Sequence, residues 1–166
     1  MKRKPKVLFF STGDSTRSQM AEGFLRAFAG DEVVVASTAV QSIERDPLVL
    51  EVMKEVGVDI SAQHPKDIGQ FFKESFNFVV TLGDPSKERF PVWPFCRNVR
   101  HWSLTDPEQT AGTPEQKRDA LRRVRDAISR NVTEFVSKSF PLLYSGDTAG
   151  AKPKSQSAAA GAAYTQ

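Results

Sequence analysis

The stretch VLFFSTGDSTRSQMAE, residues 7–22, decides the fold. Its apolar start over residues 7–10 predicts a short buried strand, and a helical pattern follows from Arg17 onward. The polar loop Ser11–Thr16 joins the two. A tight turn between a strand and a helix points several backbone N–H groups at one place, where the helix dipole also favours negative charge. The sequence therefore predicts an oxyanion-binding loop at the carboxyl end of the first strand.

The residues of this loop suit an anion in different ways. Gly13 is expected to permit the unusual backbone angles of a tight turn, and Arg17 can offer a bidentate fork to two oxygens. Asp14 places a carboxylate where anions should bind, so we expect it to cap local N–H groups or pair with a cation. A simpler alternative is a Ser/Thr-rich turn beside a surface arginine. The predicted oxyanion-binding set is Thr12, Gly13, Asp14, Ser15, Thr16, Arg17 and Ser18.

Strand and helix patterns alternate along the rest of the chain. Periodicity and turn signals predict further strands at 32–39, 76–82 and 99–104, and helices at 47–56, near 65–72 and at 113–139. Such alternation predicts a parallel sheet with helices on both faces. We assign residues 1–144 to one domain. Residues 145–166 are mostly Ala, Gly, Ser, Lys and Thr and predict a disordered tail.

Composition excludes several classes of function. The chain has 166 residues and a net charge of +3, without a basic stripe interleaved with aromatic residues, so no nucleic-acid partner is predicted. It has no apolar run long enough for a membrane span, and we expect a soluble cytoplasmic protein. Cys96 is the single cysteine, and His64 and His101 are far apart in sequence. An intrachain disulfide is therefore impossible, and no metal site is predicted.

The segment VLFFSTGDSTRSQMAEGFLRAF, residues 7–28, resembles the first motif of the low-molecular-weight protein tyrosine phosphatases. It is most similar to their thioredoxin-coupled arsenate reductase branch, in which Arg-Ser-Gln-Met-Ala-Glu-Gly is typical. The resemblance runs in order over residues 5–138 and implies an α/β fold with three layers, α/β/α, built on a four-stranded parallel sheet. Further similar stretches lie at 47–61, 78–82, 101–107 and 124–128.

The same resemblance implies roles for individual residues. In the family the loop reads Cys, five residues, Arg, and Arg17 matches the arginine that holds phosphate or arsenate. Ser18 matches a hydroxyl that hydrogen-bonds the nucleophile. Asp106, before Pro107, matches the general acid that protonates the leaving group, although Asp-Pro is also an ordinary turn. The candidate catalytic residues are therefore Ser11, Arg17 and Asp106.

The departures from the family pattern bear on the chemistry. Ser11 stands where the nucleophilic cysteine belongs, Thr16 stands where many reductases carry another cysteine, and residues 83–89 lack resolving cysteines. A serine hydroxyl needs an adjacent base, and neither histidine lies in the motif. One cysteine cannot form the disulfide that thioredoxin reduces. We therefore expect impaired phosphatase turnover and no thiol-dependent arsenate reduction.

Three functions remain open on the sequence alone. The first is a non-catalytic or impaired relative that binds phosphate, arsenate or a phosphorylated protein. The second is a working enzyme in which Ser11 accepts phosphate, Asp106 activates water, or Cys96 acts with an external thiol. The third is an interaction scaffold that uses exposed-looking aromatics around Phe90, Trp93 and Phe95.

The resemblance also points to one candidate cofactor, a potassium ion near the loop. Some reductases bind potassium beside the loop, and Glu22 and Ser37 match part of that site. Asp14 differs from the usual asparagine. Lys66 falls near the place where an acidic ligand is expected, so its ammonium group would replace the ion.

Overall fold

Four strands and three α-helices form most of the described chain, which in this computed structural model comprises residues 3–41, 43–84, 86–87, 89, 92–93 and 96–142. The strands are β1 (Lys6–Ser11), β2 (Val34–Ala39), β3 (Phe78–Gly83) and β4 (Val99–Ser103). The helices are α1 (Thr16–Ala29), α2 (Pro47–Lys54) and α3 (Pro114–Ser139). The predicted tail, residues 145–166, lies outside the described residues.

The strands form one parallel sheet, as predicted, and their order in it is β2-β1-β3-β4. β1 is central, and its last residue, Ser11, lies between Ala39 of β2 and Leu82 of β3. Because every pairing is parallel, the carboxyl ends of all four strands share one edge of the sheet. The loops after β1 and β4 therefore meet at this edge, where ligands bind in sheets of this kind.

All three α-helices contribute to the core on one face of the sheet. Alternation along β1 sends Val7 and Phe9 to this face. The helices bury the apolar stripes that periodicity predicted, and α3 packs against both α1 and α2. The helix residues in this core include Met20, Phe24, Leu25, Val49, Val52, Met53, Leu121, Val124, Ile128, Val132 and Phe135.

The other face is covered mainly by aromatic side chains. Leu8, Phe10 and Val79 point to this face and form a second core cluster with Phe71, Phe76 and Trp93. Trp93 is only 5% exposed and stacks on Phe72 with ring centroids 5.1 Å apart. The expectation of an exposed aromatic surface is therefore wrong for Trp93, while Phe90 and Phe95 lie outside the described residues.

The second strand and the helix predicted near 65–72 are shorter than expected because local turns replace their ends. Residues 30–32 form a 3₁₀ turn, so β2 begins at Val34. The predicted helix near 65–72 is a 3₁₀ turn over Ile68–Gln70, and the Asp67 carboxylate accepts its Gly69 N–H at 2.6 Å. An Asx turn of this kind closes the backbone locally and competes with a longer helix.

A network of ion pairs joins α2 to α3. Glu55, just after α2, accepts hydrogen bonds from Arg122 and Arg125, each with a contact of 2.7 Å. These bonds, with that from Arg122 the stronger, lower the pKa of the Glu55 carboxyl to about 2. Arg118 pairs with Glu51 of α2 at 3.2 Å. Three arginines of α3 are thus bound to acidic partners.

Thr113 and Gln116 form the capping box that the sequence predicts at the start of α3. We expect Thr113→Ala to lower the free energy of unfolding by about 1 kcal/mol, because the Gln116 N–H then loses its acceptor. Urea denaturation measures this loss. Thr113→Ser keeps the hydroxyl and is the matched control, and an equal loss in both variants would contradict the capping role.

Candidate oxyanion-binding site

The N-cap residue of α1 makes no side-chain cap hydrogen bond. Ser15 is the N-cap residue, but its hydroxyl donates to the Ile43 carbonyl at 3.4 Å and accepts from Gln19 Nε2 at 2.8 Å. The backbone N–H groups of Gly13, Asp14 and Ser15 donate to no acceptor within the described part of the chain. The first turn of α1 has no acidic residue. These donors and the positive end of the helix dipole are therefore available to an anion.

The turn is held by backbone hydrogen bonds to neighbouring strand ends. Thr12 donates its N–H to the Leu82 carbonyl at 3.2 Å, and Gly13 accepts from the Gln41 N–H at 3.1 Å. The expectation that Gly13 supplies an unusual backbone angle is wrong, because the described glycines with positive φ are Gly30, Gly57 and Gly112. The loop thus reaches its shape through strand pairing rather than through a left-handed glycine.

Arg17 is fully buried at the carboxyl edge of the sheet. Its Nη1 donates to the Leu104 carbonyl at 3.0 Å, and its Nη2 lies 3.9 Å from Asp106 Oδ2. The alternative of a surface arginine is therefore excluded. Leu104 and Asp106 follow β4, so this guanidinium links the loop after β1 to the loop after β4. It places a permanent positive charge in a largely desolvated position, where its effect on an anion is strong.

Ser11 ends β1 fully buried, and its hydroxyl contacts the start of α1. Its Oγ accepts the Ser18 backbone N–H at 2.7 Å. The Ser18 hydroxyl instead donates to the Ser15 carbonyl at 3.1 Å. The resemblance implies a hydrogen bond from Ser18 to the residue at position 11. In this structure the Ser18 backbone N–H makes that bond, and the Ser18 hydroxyl does not.

Neither histidine serves Ser11 as a base. His101 lies on β4 and its Nδ1 contacts the Thr81 hydroxyl. His64 lines a separate cavity with Glu44 and Arg45. Within the described residues, Ser11 Oγ therefore has no group positioned to take its proton.

Asp14 turns back onto its own loop, as expected. Its carboxylate accepts the Thr16 N–H at 3.3 Å and the Thr16 hydroxyl at 3.0 Å. The same hydroxyl lies 3.1 Å from Glu108 Oε1. One hydroxyl hydrogen cannot serve two ionised carboxylates at once. The contacts are fully satisfied when one carboxyl is protonated and donates to the hydroxyl.

The surroundings of this Asp14–Thr16–Glu108 cluster favour the protonated form of both carboxyls. Burial, followed by the negative charge of Asp106, raises the pKa of the Asp14 carboxyl. Burial, followed by the charge of Asp14, raises the pKa of the Glu108 carboxyl. Both carboxyls therefore hold protons more strongly in the folded chain than in water.

Asp106 stands beside Arg17 and also caps a 3₁₀ turn over Pro107–Gln109. Its Oδ1 accepts the Glu108 N–H at 3.0 Å. Asp106 thus has both the turn role that its Asp-Pro setting suggests and a position next to the guanidinium. The structure brings Arg17 and Asp106 together at the loop, with Ser11 at the base of that loop.

Glu22 is almost fully buried beside the loop and already faces two cations. Arg26 donates to its Oε1 through Nε at 3.1 Å and Nη2 at 2.7 Å, and the Ser37 hydroxyl contacts its Oε2. The Lys66 ammonium lies 4.0 Å from Oε1. A further cation would be repelled here, so these residues do not fit a potassium ion. No group of three His, Cys, Asp or Glu in the described part of the chain is arranged to hold a metal.

The sequence does not reveal two groups that shape this site. Glu108 meets the loop only through the fold, and nothing in its Asp-Pro-Glu setting points to Thr16. The Leu104 carbonyl that accepts from Arg17 is a backbone group, and every residue has one, so the residue type gives no signal. The one available signal for Glu108 is its position two residues after Asp106.

The family described as low molecular weight phosphotyrosine protein phosphatase matches residues 6–140. The chain belongs to this family. Within the family, the resemblance to the arsenate reductase branch is confirmed by relatives and by solved structures.

An arsenate reductase of Halalkalibacterium halodurans is 37% identical over 132 residues, covering 80% of this chain and 95% of that protein. An arsenate reductase of Bacillus subtilis is 37% identical over 129 residues, covering 78% and 93%. The solved structure of an arsenate reductase in the phosphate binding state is similar with a TM-score of 0.69 and 30% identity. That match covers 81% of this chain and 98% of the solved one. No helix in the described residues is long and apolar enough to cross a membrane.

We expect Asp14→Asn to stabilise the fold at pH 7, because the raised pKa shows that the ionised carboxylate is disfavoured in the folded state. Asparagine keeps an acceptor for the Thr16 N–H and leaves the Thr16 hydroxyl free for Glu108. The gain should shrink as the pH falls through the raised pKa and vanish below the ordinary value of 3.8, where Asp14 is protonated in both states.

Urea denaturation of both proteins at several pH values measures this difference. Asp14→Ala removes the acceptor as well as the charge, and it should be less stable than Asp14→Asn at every pH. A gain that does not depend on pH would contradict the electrostatic cause.

We also expect the melting temperature of the unmodified protein to be equal in potassium chloride and choline chloride. Lys66→Asp replaces the ammonium with a carboxylate and should make the fold potassium-dependent, with a rise of about 3 °C for roughly 1 kcal/mol of binding. Lys54→Asp, at the exposed end of α2, is the matched control. A specific potassium effect on the unmodified protein would contradict the role of Lys66.

Proposed function

We propose that this chain binds a tetrahedral oxyanion, either free phosphate or arsenate or the phosphate group of an ester, in the loop Ser11–Arg17. The single observation that carries the proposal is the fully buried Arg17 at the amino end of α1, where the N-cap residue Ser15 makes no capping bond. The N–H groups of Gly13, Asp14 and Ser15 add donors at the same place. A cation and several convergent donors match the three equatorial oxygens of such an anion.

We further propose that catalysis is impaired. A thiolate is accessible near neutral pH at a helix terminus, whereas a serine hydroxyl needs an adjacent base. Ser11 Oγ accepts the Ser18 N–H, and neither histidine contacts it. This geometry supports binding and gives the hydroxyl no means of becoming a strong nucleophile.

The position of Cys96 argues against a thiol-based rescue. Its Sγ donates to the Asn98 carbonyl at 3.5 Å, just before β4, and it packs on the second core cluster. Ser11 lies at the opposite edge of the sheet, because the strands are parallel and Ser11 ends β1. A strand of this length separates the two edges by about 15 Å. Cys96 therefore cannot take over the role of the missing nucleophile.

A weak phosphoric-ester hydrolase is the second candidate function. The observation in its favour is Asp106 Oδ2, which lies 3.9 Å from Arg17 Nη2 and is close enough to a bound ester to donate a proton or to activate water. A phosphorylated protein is a candidate source of the ester. A scaffold built on aromatic residues is less favoured, since Trp93 is buried.

Backbone amide NMR titration with phosphate and with arsenate tests the binding proposal. We expect saturable shifts at residues 13–18 in the unmodified protein. Arg17→Ala should weaken binding about 100-fold, since two charge-assisted hydrogen bonds are worth about 3 kcal/mol. Arg17→Lys keeps the buried charge and should lose less. If a folded Arg17→Ala variant kept its full affinity, the proposal would be wrong.

Ser11→Cys tests the cause of the impairment. We expect this variant to hydrolyse an aryl phosphate at least 100-fold faster than the unmodified protein, because a thiolate replaces a hydroxyl at the same helix terminus. Ser11→Ala is the matched control and should be inactive. Asp106→Asn in the Ser11→Cys background should slow release of the alcohol. Equal rates for Ser11→Cys and Ser11→Ala would contradict the nucleophile as the missing element.

A further inference from the structure

A second cavity adjoins the oxyanion site on the side of Asp106. Its volume is about 390 Å³, within the range of small-molecule sites. One wall is α3, where Ala120 and Val124 are buried and Arg123 is exposed. The residues that line it are Asp84, Lys87, Thr105, Asp106, Pro107, Gln109, Thr110, Ala120, Arg123 and Val124.

The carboxylates of this cavity already have partners within the chain. Asp84 accepts from the Ser86 N–H at 3.0 Å and from the Ser86 hydroxyl at 2.5 Å. These bonds lower the pKa of the Asp84 carboxyl and keep it ionised. Asp106 accepts the Glu108 N–H and lies beside Arg17. Arg17 thus offsets the charge of Asp106, while the charge of Asp84 is opposed by the nearby Lys87.

The two cations that line the cavity differ from its carboxylates in their contacts. Neither Arg123 nor Lys87 forms a side-chain hydrogen bond or ion pair with the described residues. On the same helix, Arg118, Arg122 and Arg125 are each paired with carboxylates. Arg123 is therefore a cation that α3 presents to the cavity rather than to α2. The lining thus holds two carboxylates and two cations, and Arg123 is the cation without an acidic partner among the described residues.

Asp106 belongs to both the oxyanion site and the cavity, so the two adjoin each other at this residue. An ester whose phosphate is held by Arg17 would lie next to Asp106, because Asp106 Oδ2 is 3.9 Å from Arg17 Nη2. The organic part of the ester would then extend past Asp106, toward Thr110 and Arg123. The cavity is where the rest of such a ligand would lie.

We propose that this cavity is a subsite for a second anionic group, a carboxylate or a phosphate, carried by the organic part of the phosphate ester. The proposal rests on the proposed function and narrows its ligand to esters of acidic compounds or acidic phosphopeptides, whose shared chemistry is a second anion beyond the phosphate. Arg123 and Lys87 bind the second anion, while Thr110 and Gln109 can donate hydrogen bonds to it.

Binding of three probes tests the proposal: inorganic phosphate, phenyl phosphate and 4-carboxyphenyl phosphate, each followed by amide NMR. We expect the carboxylated ester to bind about fivefold more tightly than phenyl phosphate, the effect of one exposed ion pair. Arg123→Gln should abolish this preference and leave the affinity for inorganic phosphate unchanged. Higher salt should reduce the preference, because the pair is open to solvent. A phenylene bisphosphate shows whether phosphate serves as well as carboxylate.

Arg130→Gln is the matched control, because Arg130 is an exposed arginine of α3 located two turns, or about 10 Å, beyond Arg123 and outside the cavity. It should retain the full preference. The subsite is wrong if inorganic phosphate binds but the two esters bind equally, or if Arg123→Gln and Arg130→Gln lose the preference alike. Absence of inorganic phosphate binding overturns the proposed function itself, and the subsite with it.

Discussion

The structure depends on one buried charge. Arg17 is fully enclosed at the carboxyl edge of the sheet, and a buried guanidinium is tolerated only with hydrogen-bond acceptors and negative charge around it. The Leu104 carbonyl and the Asp106 carboxylate supply part of this environment. Both follow β4, so the sheet must bring the ends of β1 and β4 together for the charge to be accommodated. An oxyanion bound between Arg17 and the amino end of α1 would complete that compensation.

Three carboxyl groups lie close to this positive charge. Asp14, Asp106 and Glu108 surround Thr16 and Arg17, and burial makes two of these carboxyls harder to ionise. Their protons and the charge of a bound anion are therefore coupled, because each carboxylate that ionises weakens the attraction for the anion. The anion binding proposed for this loop would therefore depend on pH.

The features that suit an oxyanion lie together in this structure. The N-cap residue Ser15 makes no capping bond and Arg17 is buried beside Asp106, while Ser11 has no base among the described residues and Cys96 lies at the other edge of the sheet. Backbone donors and an arginine can bind an anion without a nucleophile. The Glu22 carboxylate of α1 already faces the cations of Arg26 and Lys66.

The sequence by itself determined the features that depend on near neighbours. The strand, turn and helix around Arg17, the capping box at Thr113 and the apolar stripes of α1 and α3 follow from local rules of backbone geometry and periodicity. Only the tertiary structure decided which distant residues meet: Glu108 with Thr16, Lys66 with Glu22, and Arg123 with the cavity beside Asp106. The physical reason is that sequence spacing fixes distance only within one element. Contacts between elements depend on how the helices pack on the sheet, and a pattern of residue types does not encode that packing.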